Sequence, residues 1–70
     1  MVDADISRRL KAMMKRKKLR QTELAARLGM DYQNLTRAMN GRRPIYAREL
    51  PEFAKALGVS VNAILGGSEE

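Results

Sequence analysis

Residues 21–40 read QTELAARLGMDYQNLTRAMN, with the spacing of two short helices joined by a tight turn at Gly29-Met30-Asp31. In the first helix Leu24, Ala25 and Leu28 share one apolar stripe. Ala25 is small where two helices must cross closely. Gly29 ends that helix, because glycine takes a left-handed conformation at little cost. Met30 is an apolar plug in the turn. Asp31 is placed to cap the next helix, its carboxylate accepting from the backbone N–H of Gln33 or Asn34. In the second helix Leu35, Ala38 and Met39 share one face. At about 100° per residue the opposite face centres on Gln33 and Arg37, with Thr36 and Asn40 beside them and Tyr32 and Asn34 on the flanks. That face carries amides, a hydroxyl and a guanidinium, but no carboxylate. Amides and guanidinium groups make bidentate pairs with adenine and guanine edges, so the pattern suits a helix lying in the major groove of duplex DNA.

Size and composition narrow the alternatives. At 70 residues the chain holds one domain with a small core, expected over 1–66, and a flexible tail over 67–70. It has no cysteine, which excludes disulfides and thiolate metal sites, and no histidine, which removes the usual general base and the commonest metal ligand. Without a clustered carboxylate pair as well, no enzyme is expected, nor any cofactor, metal or small-molecule ligand. Fourteen Lys and Arg against eight Asp and Glu leave a formal charge of +6. Such a surface favours a polyanion, nucleic acid first and acidic membrane second, although a merely solvated surface accounts for it equally well. No apolar run approaches a membrane span, and the N-terminus lacks an apolar signal-peptide segment. The expected location is cytoplasmic, on the nucleoid when bound to DNA.

The flanks extend the helical pattern. Asp3 and Asp5 are candidate caps for a first helix, with Ile6, Leu10 and Met13 or Met14 as its buried stripe. It runs out in KRKK at 15–18, where cations suit the negative end of the helix dipole. Capping accounts for one or two of these cations, and part of the run is expected to face phosphate. Leu19 packs the corner, and Arg20 occupies the N-cap of the next helix, where Ser or Thr is better. After Asn40-Gly41, a helix stop, comes the basic loop Arg42-Arg43-Pro44, anchored by Ile45. Leu50, Phe53, Ala54 and Leu57 mark a fourth helix with Pro51 in its first turn, biasing Leu50 away from the helical region and making Tyr46 to Glu49 a separate turn. Gly58 ends it, Val59 packs, Ser60 caps, and Val61, Ile64 and Leu65 make a short fifth helix. The expected fold is all-α, a compact five-helix bundle containing a helix-turn-helix over about 21–40.

These residues resemble the phage-repressor and Cro family of helix-turn-helix domains, also called XRE-like, from Ile6 to Leu65. The likeness rests on Gln21, Leu24-Ala25, Leu28-Gly29, Leu35, Asn40-Gly41 and the run Ala54, Leu57-Gly58-Val59-Ser60, Ile64-Leu65. The resemblance implies sequence-specific binding to double-stranded DNA, usually as a homodimer on a palindromic operator, to regulate transcription. It implies that Gln21 grips a phosphate, often bracing the side chain at Gln33. It places Tyr32, Gln33 and Arg37 on bases, Asn34 and Thr36 in less regular contacts, and Asn40, Arg42 and Arg43 on the DNA backbone. Lys15 and Arg20 complete the expected backbone set. Dimer contacts are expected through Val61, Ile64 and Leu65, or through the loop after the reading helix. Three departures stand out: Lys18 where relatives often carry glycine, Arg20 in place of the usual cap, and Pro51 in the fourth helix. The readings in play are an occupancy repressor of Cro-like or controller type, the DNA-binding part of a larger regulator or an antitoxin, and a protein-interaction module.

Overall fold

Helices of eight residues are marginal in water, so those of this chain depend on a shared core. The computed structural model describes residues 4–66. In chain order it contains α1 (Ala4–Arg16), α2 (Gln21–Leu28), α3 (Tyr32–Met39), α4 (Leu50–Leu57) and α5 (Val61–Ile64), with a 3₁₀ turn at Ala47–Glu49 before α4. Among the described residues there is no strand, and the expected all-α five-helix bundle is found. The expected cap Asp3 and the tail 67–70 lie outside the described residues.

The core takes Ile6, Leu10, Met13 and Met14 from α1, Leu24 and Ala25 from α2, and Leu35, Ala38 and Met39 from α3. Ile45 from the loop, Leu50, Phe53, Ala54 and Leu57 from α4, and Val59, Ala63 and Ile64 close it. Both methionines of α1 are buried, so the stripe there is wider than one of them alone. Met30 and Leu28 pack against this core half-buried.

The first four helices end alike, each around a residue in the left-handed conformation: Lys18, Gly29, Gly41 and Gly58. At Gly29 the N–H donates to the Ala26 carbonyl at 3.2 Å and the Met30 N–H to the Ala25 carbonyl at 2.9 Å. This pair of bonds satisfies carbonyls that have no partner within the helix. At the end of α1 the same bonds run from Lys18 to Lys15 (3.1 Å) and from Leu19 to Met14 (2.9 Å), with Lys18 at φ 55°. A lysine there bears the Cβ strain that glycine avoids. Leu19, half-buried against the core, adds its packing to these bonds at the corner.

Caps follow the local signals in part. Asp31 accepts from the Asn34 N–H at 3.3 Å, and Ser60 Oγ accepts from the Ala63 N–H at 3.0 Å. Arg20 offers no side-chain cap. Instead the Glu23 carboxylate accepts the Arg20 N–H at 2.9 Å, which supplies the reciprocal half of a capping box. Asp5 is not a cap: it lies inside the first turn of α1 and pairs with Arg8 at 2.8 Å. Pro51 sits in the first turn of α4, where its missing N–H loses no helical bond. Leu50 nevertheless has helical dihedrals, φ −59° and ψ −41°. Its side chain is buried, and tertiary packing overrides the pre-proline bias. Leu65 lies past the end of α5 and is exposed.

The left-handed positions predict opposite signs on substitution. At Gly29 an added Cβ meets no neighbour within 4 Å, so the penalty is backbone strain alone. Gly29→Val is expected to lose at least ~1–2 kcal/mol. Lys18→Gly is expected to gain up to about 1 kcal/mol, the relief of strain less the entropy of glycine in the unfolded chain. Thermal unfolding reads both, since 1 kcal/mol shifts the midpoint of so small a domain by roughly 4–8 °C.

Candidate nucleic-acid interface

The orientation of α3 follows from its buried stripe. Leu35, Ala38 and Met39 are each at most 1% exposed. With that face sealed, Gln33 and Arg37 project into solvent, Tyr32 is 47% exposed beside them, and Asn34 and Thr36 are half-buried at the edges. Among the described residues, no hydrogen bond or ion pair engages the side chains of Gln33 or Arg37. The carboxylate of Asp31, just before α3, is held at the helix N-terminus by its cap bond.

Gln21 opens α2 next to α3, and its Oε1 accepts from Thr36 Oγ at 3.2 Å. Gln21 therefore braces Thr36 in this structure, not Gln33. Beyond α3, Asn40 Oδ1 accepts from Lys11 Nζ at 3.1 Å, which ties the exit of α3 to α1. Ser7, buried on α1, donates from Oγ to the Ala38 carbonyl at 3.0 Å. That carbonyl lies in the last turn of α3, where intrahelical donors run out. Lys11 and Ser7 were not among the residues expected from the sequence. A hydroxyl and an ammonium one turn apart on α1 were the available signal, but nothing local names their partners.

The basic residues divide by environment. Lys15, Arg20 and Arg42 are exposed, and so is the run Arg16 to Lys18. Arg43 is turned inward. One guanidinium nitrogen donates to Glu49 Oε1 at 2.9 Å and to the Pro44 carbonyl at 2.6 Å, and the other donates to Glu49 Oε2 at 3.1 Å. The second nitrogen also lies 3.8 Å from Met30 Sδ. The sequence expectation put Arg43 on the DNA backbone with Arg42. The structure separates the two, because the fork of Arg43 finds a planar carboxylate within its own fold. Tyr46 and Arg48, also absent from the expected set, stack in the same segment with the guanidinium 4.6 Å from the ring centre.

The surroundings of Glu49 act on its charge in opposite directions. Burial alone would raise its pKa. The hydrogen bonds from Arg43 and the Tyr46 N–H, with the charges of Arg43 and Arg48, outweigh burial and hold the carboxyl below its ordinary 4.5.

Two comparisons bear on this geometry. The sequence profile of the family described as Helix-turn-helix domain matches residues 5–64. The chain belongs to that family, whose paired α2 and α3 are the elements that such domains apply to DNA. No solved structure matches the chain. No helix among the described residues is long and apolar enough to cross a membrane.

Glu49 predicts the acid side of the stability curve. A carboxyl whose pKa is lower in the folded than in the unfolded chain stabilises the fold above the unfolded value. That contribution is present above about pH 4.5 and is lost as pH falls through the folded pKa. Melting temperatures measured between pH 3 and 7 are expected to fall on the acid side more steeply for the parent than for Glu49→Gln.

Proposed function

We propose that this chain is a sequence-specific regulator of transcription that reads the major groove of duplex DNA with the exposed face of α3. The observation that carries this reading is the pair Gln33 and Arg37, unpartnered on the face opposite Leu35, Ala38 and Met39. Gln33 and Arg37 hydrogen-bond purine edges, Tyr32 covers base or sugar, and Asn34 and Thr36 make edge contacts. Gln21, Asn40, Arg42, Lys15 and Arg20 hold the phosphate backbone on either side. Arg43, engaged by Glu49, is left out of that set. The protein acts by occupancy, as a repressor on nucleoid DNA in the cytoplasm.

A homodimer on a palindromic operator fits a domain of this size. Ile64 is fully buried within its own protomer, so the apolar surface available at α5 reduces to Leu65 and half-buried Val61. The two half-sites are expected about one helical turn, ~34 Å, apart. Selection of bound duplexes from a random pool gives half-site and spacing together. An empty pool would count against DNA reading and for a protein-interaction module.

Mutation separates the two kinds of contact. Gln33→Ala or Arg37→Ala is expected to cost about 1–3 kcal/mol on the selected site and to relax preference at particular base pairs. Arg42→Ala is expected to weaken all duplexes alike and to reduce the log–log salt slope by about one per lost phosphate contact, hence by about two for the dimer. If each protomer neutralises roughly three to five phosphates, the parent dimer should show a slope of about −5 to −9. An unchanged ratio of specific to random affinity in Gln33→Ala and Arg37→Ala would remove α3 as the reading head.

A further inference from the structure

Arg43 and Glu49 do more than pair with each other. The Arg43 guanidinium reaches three segments: the α2–α3 turn through Met30 Sδ, its own loop through the Pro44 carbonyl, and the 3₁₀ turn through Glu49. Glu49 Oε1 in turn accepts the Tyr46 N–H at 2.9 Å. The two side chains are only 16% and 21% exposed, and Arg43 Nε is buried without a partner. Leaving one guanidinium N–H unsatisfied is unfavourable, and the bonds made by the outer nitrogens hold the side chain there regardless. The loop between α3 and the 3₁₀ turn has no regular structure of its own. Its start is tied to α3 by the Gly41 N–H on the Ala38 carbonyl at 3.2 Å and the Arg42 N–H on the Arg37 carbonyl at 2.8 Å; beyond them the anchor Ile45 and this ion pair hold it. Arg42, the preceding residue, is exposed.

We propose that Arg43 and Glu49 are a positioning pair that sets the loop after α3, and with it Arg42, in register for the DNA backbone. Neither contacts DNA. The inference rests on the DNA-reading function proposed above. It makes an acidic residue necessary for binding a polyanion, which charge alone does not allow. Removing Glu49 makes the chain more positive by one, and simple electrostatics then tightens binding to DNA.

The test is to measure affinity for selected and random duplexes over a range of salt. The proteins are the parent, Glu49→Ala, the milder Glu49→Gln, Arg43→Ala, Arg43→Lys and the Arg43→Ala/Glu49→Ala double variant, all at temperatures where melting curves show them folded. Glu49→Ala and Arg43→Ala are each expected to weaken binding by roughly tenfold, and the double variant no more than either single one, as for a coupled pair. Through displacement of Arg42 the salt slope should fall in Glu49→Ala as well as in Arg43→Ala, whereas a direct phosphate contact of Arg43 would lower it in Arg43→Ala alone. Arg43→Lys keeps the charge but not the fork and should fail to restore affinity. In the free protein, amide exchange should accelerate at Tyr46 in Glu49→Ala while the core amides of Leu35 and Phe53 stay protected. Equal or tighter binding by Glu49→Ala, a slope lowered in Arg43→Ala but not in Glu49→Ala, or full rescue by Arg43→Lys overturns the proposal. Absence of duplex binding by the parent at low salt overturns the DNA-reading function and this inference with it, and is distinguished from the other failures because no variant comparison enters it.

Discussion

Leu35 has no exposed surface, and most of what α3 presents to solvent follows from that. An α-helix turns about 100° per residue, so burying Leu35, Ala38 and Met39 commits Gln33 and Arg37 to the opposite side. The helix cannot rotate without exposing those three to water. Removing a leucine or methionine from water is favourable by about 1.5–3 kcal/mol each, which outweighs any preference of exposed amides for one orientation. Ala38 adds a second constraint. Because its side chain is small, α1 approaches closely enough for Ser7 to reach the Ala38 carbonyl.

The polar interactions that cross between elements act mainly at helix ends. Ser7 bonds the last turn of α3, Lys11 holds Asn40 at the exit of α3, and Arg27 donates to the Ala56 carbonyl in the last turn of α4 at 3.0 Å. Carbonyls there lack intrahelical donors, and cations suit the negative end of the dipole. The formal charge of +6 is therefore not one undivided DNA-binding surface. Lys11 and Arg27, though exposed, bond groups of their own chain, Arg43 is turned inward, and Arg8 pairs with Asp5. Arg37 and Arg42 remain exposed. Net charge alone does not tell these residues apart.

Much of the architecture was legible because its signals act within one helical turn. The apolar period located the helices, Gly29, Gly41 and Gly58 located three of the ends, and Asp31 and Ser60 located two caps. The fourth end showed where a local rule yields. Lys18 takes the left-handed position without being glycine, at a corner held by its backbone bonds and the packing of Leu19. Leu50 yields in the same way, helical before a proline because its side chain is buried. Burying a leucine completely is favourable by about 1.5–3 kcal/mol, a size comparable with the ~1–2 kcal/mol cost of a left-handed residue.

What the sequence by itself determined was the all-α class, the α2–turn–α3 unit and the composition of the outward face of α3. Each depends on residues within a few positions of one another. Tertiary structure alone decided which polar groups meet: Thr36 with Gln21, Lys11 with Asn40, Ser7 with the Ala38 carbonyl. It also decided that Arg42 and Arg43, adjacent and chemically identical, have different surroundings. No periodicity distinguishes the two in a loop. The difference arises because folding brings Glu49 and Met30 to one side of that loop, and a forked cation bonds the carboxylate it is carried against.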